Sequence, residues 1–160
     1  HIDCTIGQPY GNIDPSYSCG FHTGVDFPQS GVAVQNPDLY SITDDGIVTY
    51  VYNQSQGTTP DLGNQVQIYD NRTGLYYRYC HMLYGSVSLN VGDRVNLNTI
   101  VGKMGNTGNA TGIHLHLELS DVSYWDTTRT HFQNPLSLPM VWVDPSPSIL
   151  IHRHKTLHII

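Results

Sequence analysis

Charge is scarce in this sequence. Only 12% of its 160 residues are charged, with 7 Lys or Arg against 13 Asp or Glu. The formal net charge of −6 and the lack of any Lys/Arg stripe argue against a nucleic-acid partner. They also give no attraction toward an anionic surface such as a lipid headgroup layer. Long hydrophobic runs are missing too: no stretch approaches the ~18–20 apolar residues of a membrane span. No signal peptide is visible. The chain starts at His1 rather than Met, which we read as a processed product or a domain excised from something larger. Amphipathic helix patterns, internal repeats and low-complexity blocks are all absent. Cysteine is limited to 3 residues, an odd number. Cys4 and Cys19 flank a loop rich in Pro, Gly, Ser and Tyr and could close it with a disulfide, which would favour an oxidising compartment. Cys80, within "LYYRYCHM", reads as a buried thiol.

What is plentiful is Tyr, Asn, Thr, Ser and Gly, the balance of an all-β, turn-rich protein with a neutral polar surface. A chain of 160 residues is most economically one domain, and one this size buries roughly 70% of its unfolded surface. Residues 1–20 read as an irregular entry segment. Strand patterns follow in "GIVTYVYN" (46–53), "NQVQIYD" (64–70) and "LYYRYCHM" (75–82), the last two joined by the turn "DNRTG" into a hairpin. Residues 91–108 break into very short strands, and "HLHLELS" (114–120) is the final clear one. A short helical turn is expected near "QNPLSL" (133–138), with insertions at 54–62 and 120–131. "DPSPS" (144–148) reads as a linker or domain end. In the tail beyond it, 149–160, His152, His154 and His158 would share one face of a strand; a metal site is conceivable, a plain terminal segment the preferred reading.

Three clusters carry chemistry. In a strand, residues two apart point the same way, so His114 and His116 face one side and Leu115, Leu117 and Leu119 the other. Two imidazoles on one face require polar surroundings, which a cleft or a metal supplies. "FHTGVDF" (21–27) holds His22 and Asp26 four apart, a borderline-ligand pair suited to zinc, though a turn in which Asp26 accepts backbone hydrogen bonds would also explain it. His81 ends a predicted strand and taken alone reads as structural. Catalytic zinc takes three protein ligands and keeps a fourth position open. His22, Asp26 and one of His114 or His116 meet that count, leaving the other and His81 to handle protons and developing charge. The glycines of "GKMGNTGNATG" (102–112) lack the Lys-Ser/Thr of a phosphate-binding loop and read as tight turns feeding the His114 strand.

Taken together, "HTGVD", Tyr79-Cys80-His81-Met82 and the run from Val87 to Leu119, ending in "TGIHLHLEL", resemble the lysostaphin/LytM-like zinc endopeptidases, which cut peptidoglycan peptides. The resemblance spans roughly residues 20–120 and keeps several motifs in order. Departures are Cys80 and Met82 in the middle motif, Leu117 where Phe is common, and the insertion at 54–62; none removes a ligand. The resemblance implies a small, mostly antiparallel β-sheet with an open groove and few or no helices. It implies that His22, Asp26 and His116 bind Zn²⁺ and that His81 and His114 are the catalytic histidines. Tyr17 is the candidate for a tyrosine that assists in some members. Glu118 is read either as a residue orienting a ligand or as an exposed edge carboxylate.

On this reading residues 1–148 form the endopeptidase domain, and 149–160 a tail of unassigned role. The partner is a peptidoglycan peptide, and the implied setting is extracellular or virion-associated: a bacteriophage tail hydrolase, a secreted autolysin or a bacteriocin, in a larger phage or multidomain protein. The rival reading is a family member that has lost catalysis and serves as a peptidoglycan- or protein-binding scaffold. Presence of all five site residues favours the enzyme.

Overall fold

The computed structural model of the chain describes residues 6–17, 19–29, 34–57, 61–123, 130–138, 140–143 and 150–153. Its strands are β1 (Gly24–Pro28), β2 (Asp38–Tyr40), β3 (Gly46–Tyr52), β4 (Asn64–Asp70), β5 (Leu75–Met82), β6 (Arg94–Val95), β7 (Ile100–Lys103), β8 (His114–Ser120), β9 (Phe132–Gln133), β10 (Met140–Val143) and β11 (Leu150–Arg153). One 3-10 turn, Pro135–Ser137, is capped by the Asn134 side chain accepting from the Leu136 amide. Among the described residues there is no α-helix, and no helix is long and apolar enough to cross a membrane. The mostly antiparallel all-β fold read from the sequence is the fold observed.

The main sheet runs in the order β1-β8-β5-β4-β3-β6, with β9 continuing beside β8. All its pairings are antiparallel. Alternation decides its two faces. Val25, Val66, Ile68, Tyr77, Tyr79, Leu115, Leu117 and Leu119 form one face and enter a core closed by Leu39, Val101 and Met104 from β2, β7 and the segment after β7. Each such side chain contributes about 1.5–3 kcal/mol relative to leaving it exposed. Tyr79 is wholly buried, and its hydroxyl accepts from the Ile42 amide at 3.0 Å and donates to the Tyr40 carbonyl at 3.1 Å. The opposite face of β8, β5 and β4 is polar and floors a groove.

Strands β4, β5 and β8 coincide with their sequence-predicted spans. The "FHTGVDF" segment, for which a turn was an open reading, forms a strand: Gly24 to Pro28 pair with Glu118 back to His114. Gly24 permits this approach, since a Cβ there would collide with the Leu117 backbone carbonyl and press on the His116 ring. The chain also builds strands beyond residue 120: β9 against β8, and β10 against β11, which pairs residues 150–153 with 140–143. The 144–148 segment, His154, His158 and Cys4, with its expected bridge to Cys19, lie outside the described residues, as do parts of both expected insertions.

Candidate functional site

Three side chains from two distant parts of the sequence converge where β1 meets β8. Asp26 and His116 are directly paired in the sheet register, and His22 precedes β1. His22 Nε2 lies 3.1 Å from Asp26 Oδ1, His116 Nδ1 lies 2.8 Å from the same oxygen, and the two ring nitrogens are 3.0 Å apart.

The hydrogen positions follow from the outer partners. His22 Nδ1 is 3.0 Å from the Pro9 carbonyl, which can only accept, so Nδ1 carries the hydrogen and Nε2 turns a lone pair inward. His116 Nε2 faces the Glu118 carboxylate at 3.4 Å, which leaves Nδ1 as its inward atom. Glu118 is 2% exposed and accepts from the Thr23 hydroxyl at 2.5 Å. It is therefore not an exposed edge carboxylate but a buried partner of His116, of the kind that fixes a ligating imidazole.

Two lone pairs and a carboxylate oxygen thus point at one another, an arrangement that needs a cation between them. Without one, a proton takes the position. Burial disfavours charge on His116, yet hydrogen bonds to Asp26 and Glu118 outweigh it and raise its pKa to about 9. Burial likewise works against the Asp26 anion, but the hydrogen bond from His116 outweighs it and holds the carboxyl well below the usual range. Their ligand atoms all lie within 4.8 Å of one another, so the three residues could hold a metal ion, and two imidazoles with one carboxylate are a donor set that suits zinc.

His81 and His114 stand beside this cluster, their ring centroids 4.7 Å apart. The sequence pattern alone would have sent His81 the wrong way. Tyr79 points into the core, so a regular strand would bury His81 with it. A register shift between β4 and β5 interrupts the alternation: Val66 pairs with Tyr79, but Asn64 pairs with Met82. His81 occupies the bulge with φ +58°, a left-handed conformation uncommon outside glycine. The bulge turns His81 to the groove and returns Met82 to the core.

Thr107, which the sequence did not single out, holds that geometry. His81 Nδ1 donates to its carbonyl at 2.8 Å, while its hydroxyl donates to the Met82 carbonyl at 2.8 Å and accepts from the Asn64 amide at 3.0 Å. Gly105 lets this turn pack on β5, because a Cβ would strike the backbone of Met82 and Leu83. The glycine run therefore makes tight turns, and it braces His81 as well as feeding β8. Burial, then the neighbouring His116 and His114, push the His81 pKa down to about 3, so its ring is neutral with Nε2 bearing the lone pair. His114 Nδ1 donates to the Gly112 carbonyl at 2.9 Å, and its Nε2 lies 3.7 Å from Asp26 Oδ1.

All five predicted residues line one groove of about 1010 Å³. Tyr17 lines it too; its ring centroid lies 5.2 Å from that of His22 and its hydroxyl donates to Gln8 Oε1 at 3.1 Å. Cys80 is fully buried, and burial pushes its thiol pKa well up.

Sheet and cluster together define an all-β protein with a candidate metal site in its groove. The sequence profile of Peptidase family M23 matches residues 20–130, and the chain belongs to that family. Solved structures agree. The catalytic domain of the antimicrobial peptidase lysostaphin from Staphylococcus simulans is 25% identical with a TM-score of 0.63, over 84% of this chain and 91% of that one. A point mutant of the catalytic domain of the prophage-encoded M23 protein EnpA from Enterococcus faecalis is 28% identical at TM-score 0.57, over 82% and 88%. A zinc-containing peptidase from Vibrio cholerae is 28% identical at TM-score 0.54, over 72% of this chain and 32% of that one.

Proposed function

We propose that this chain is a zinc-dependent endopeptidase that hydrolyses peptide bonds in bacterial peptidoglycan, with residues 1–148 as the catalytic domain. The observation that carries the reading is the convergence of His22 Nε2, Asp26 Oδ1 and His116 Nδ1 beside a second, unligated pair of imidazoles. A scaffold that only bound peptide would have no use for His81 held in a left-handed bulge at the groove.

His22, Asp26 and His116 would hold Zn²⁺, which when bound polarises the scissile carbonyl and acidifies a water. The rest falls to the chain. Glu118 and the Pro9 carbonyl fix the tautomers of His116 and His22. His81 and His114, each anchored through Nδ1 on a backbone carbonyl, turn Nε2 to the substrate. Between them they take the proton of the attacking water, donate to the oxygen on which negative charge develops, and return a proton to the leaving amine. The open groove admits an extended peptide across β8, β5 and β4. Cutting the wall assigns the protein an extracellular or virion-borne setting; the prophage origin of EnpA supports the latter.

The test is incubation of purified peptidoglycan with the zinc-loaded protein. We expect new free amines and falling turbidity, both abolished by a chelator and restored by added zinc. A folded, zinc-loaded protein that leaves Gram-positive and Gram-negative sacculi intact contradicts the reading.

A further inference from the structure

The groove floor carries one full positive charge that the chemistry above leaves unused. Arg78 lies on β5, two residues before Cys80, and Cys80 is paired with His116. Alternation gives Arg78 the same face as Cys80. In the register Arg78 sits between Glu118 on β8 and Gln67 on β4, and Gln67 is followed by Tyr50 on β3. Arg78 and Tyr50 both line the groove that holds the histidines.

The guanidinium is poorly satisfied. Its side chain is 9% exposed, yet it makes no hydrogen bond with the described residues. Nη1 stands 3.7 Å from Glu118 Oε2, and Nε is buried without a partner. A cation that served only to neutralise Glu118 would close on it to about 2.7–2.9 Å. Glu118 instead gives its other oxygen to Thr23 and His116. Arginine has five N–H donors and cannot shed its charge, so a nearly buried, unbonded guanidinium is costly unless something else arrives to accept from it. What exposure it keeps is toward the groove.

We propose that Arg78 is a substrate-recognition residue that binds a carboxylate of the peptide in the groove, and that it makes the protein prefer peptides bearing that free carboxylate. The proposal rests on the peptidase reading above. Position sets where the carboxylate lies. Arg78 is a diagonal sheet neighbour of His116, a Cα separation of about 7–8 Å. At about 3.3–3.6 Å per extended residue, the carboxylate belongs about two residues from the scissile bond. Either a side-chain carboxylate or the peptide's C-terminal carboxylate supplies this chemistry.

The experiment uses three synthetic stem peptides: the free acid, its side-chain carboxamide and its C-terminal carboxamide. Binding to the zinc-loaded protein is measured by calorimetry, and cleavage is measured separately. Wild type should bind one carboxamide about 10- to 100-fold more weakly than the acid, the worth of one charge-assisted contact. Which carboxamide suffers identifies the source. In Arg78→Gln, with zinc content and circular dichroism matching wild type, the discrimination should collapse, and Arg78→Lys should recover part of it. Should Arg78→Gln not fold, the ¹⁵Nε resonance of Arg78 in wild type serves: it should move with the acid and not with the losing carboxamide. Equal binding of all three peptides, binding of none, or discrimination that survives in Arg78→Gln overturns the proposal. Peptides bound with the expected preference but left uncut support it while overturning the endopeptidase reading.

Discussion

His22 Nε2 and His116 Nδ1 stand 3.0 Å apart, each with its other ring nitrogen committed to an outer acceptor. Neither can satisfy the other unless a proton or a cation lies between them. In the metal-free protein the proton resides on His116, whose pKa is raised to about 9 by Asp26 and Glu118 against the cost of burial. Zinc entering the proposed site would have to displace it. At neutral pH metal uptake should therefore release about one proton, and affinity should rise with pH, about tenfold per unit, until it levels near pH 9. Calorimetry in buffers of different ionisation enthalpy reads the proton count. Zinc affinity that is flat between pH 6 and 8 would show that His116 holds no such proton.

His116→Ala removes one of the three proposed ligands and leaves Asp26 and Glu118 without their shared partner. Zinc content and activity should fall together. Atomic absorption on dialysed protein checks this, and retained zinc would mean that the ligand set is misassigned.

His81→Ala should behave in the opposite manner. The residue touches no member of the ligand set by hydrogen bond, so zinc occupancy should stay, while turnover should drop by about 10²- to 10⁴-fold, as for loss of a general acid or base. An unimpaired variant removes His81 from the mechanism.

Gly24→Ala tests whether the close contact of β1 and β8 builds the proposed metal site. The new methyl meets the Leu117 carbonyl, a backbone atom that cannot swing aside. The cost should be about 1–3 kcal/mol, visible as a fall in Tm. Because β1 carries Asp26, zinc affinity should fall as well. A variant with wild-type Tm and zinc affinity would show that the strands separate freely.

Much of this was readable from residue spacing. The alternation of His114 and His116 against three leucines correctly gave both the strand and its polar face, and the hairpin around "DNRTG" fell where turn chemistry puts it. What was not readable has physical causes. β1 is a poor strand by propensity: its Gly24, Asp26 and Pro28 are all residues depleted from sheets. Close packing explains Gly24 and the candidate site explains Asp26, so demands of the site and the fold overrode local preference. His81 reaches the groove only through a bulge, which reverses the parity that a pattern argument must assume. Thr107 reaches His81 through its backbone carbonyl, which any residue carries, and its hydroxyl bonds to Met82 and Asn64 exist only once the turn is folded; Glu118 was ambiguous until its burial was known.

The most direct measurement is mass spectrometry of the soluble fragments released from purified peptidoglycan by zinc-loaded wild type and by His116→Ala. The account predicts fragments with one newly exposed amino group and one new carboxyl per cut, at a single type of peptide bond, from wild type alone. Identical profiles from the two proteins, or no fragment from wild type carrying its full zinc, would contradict it.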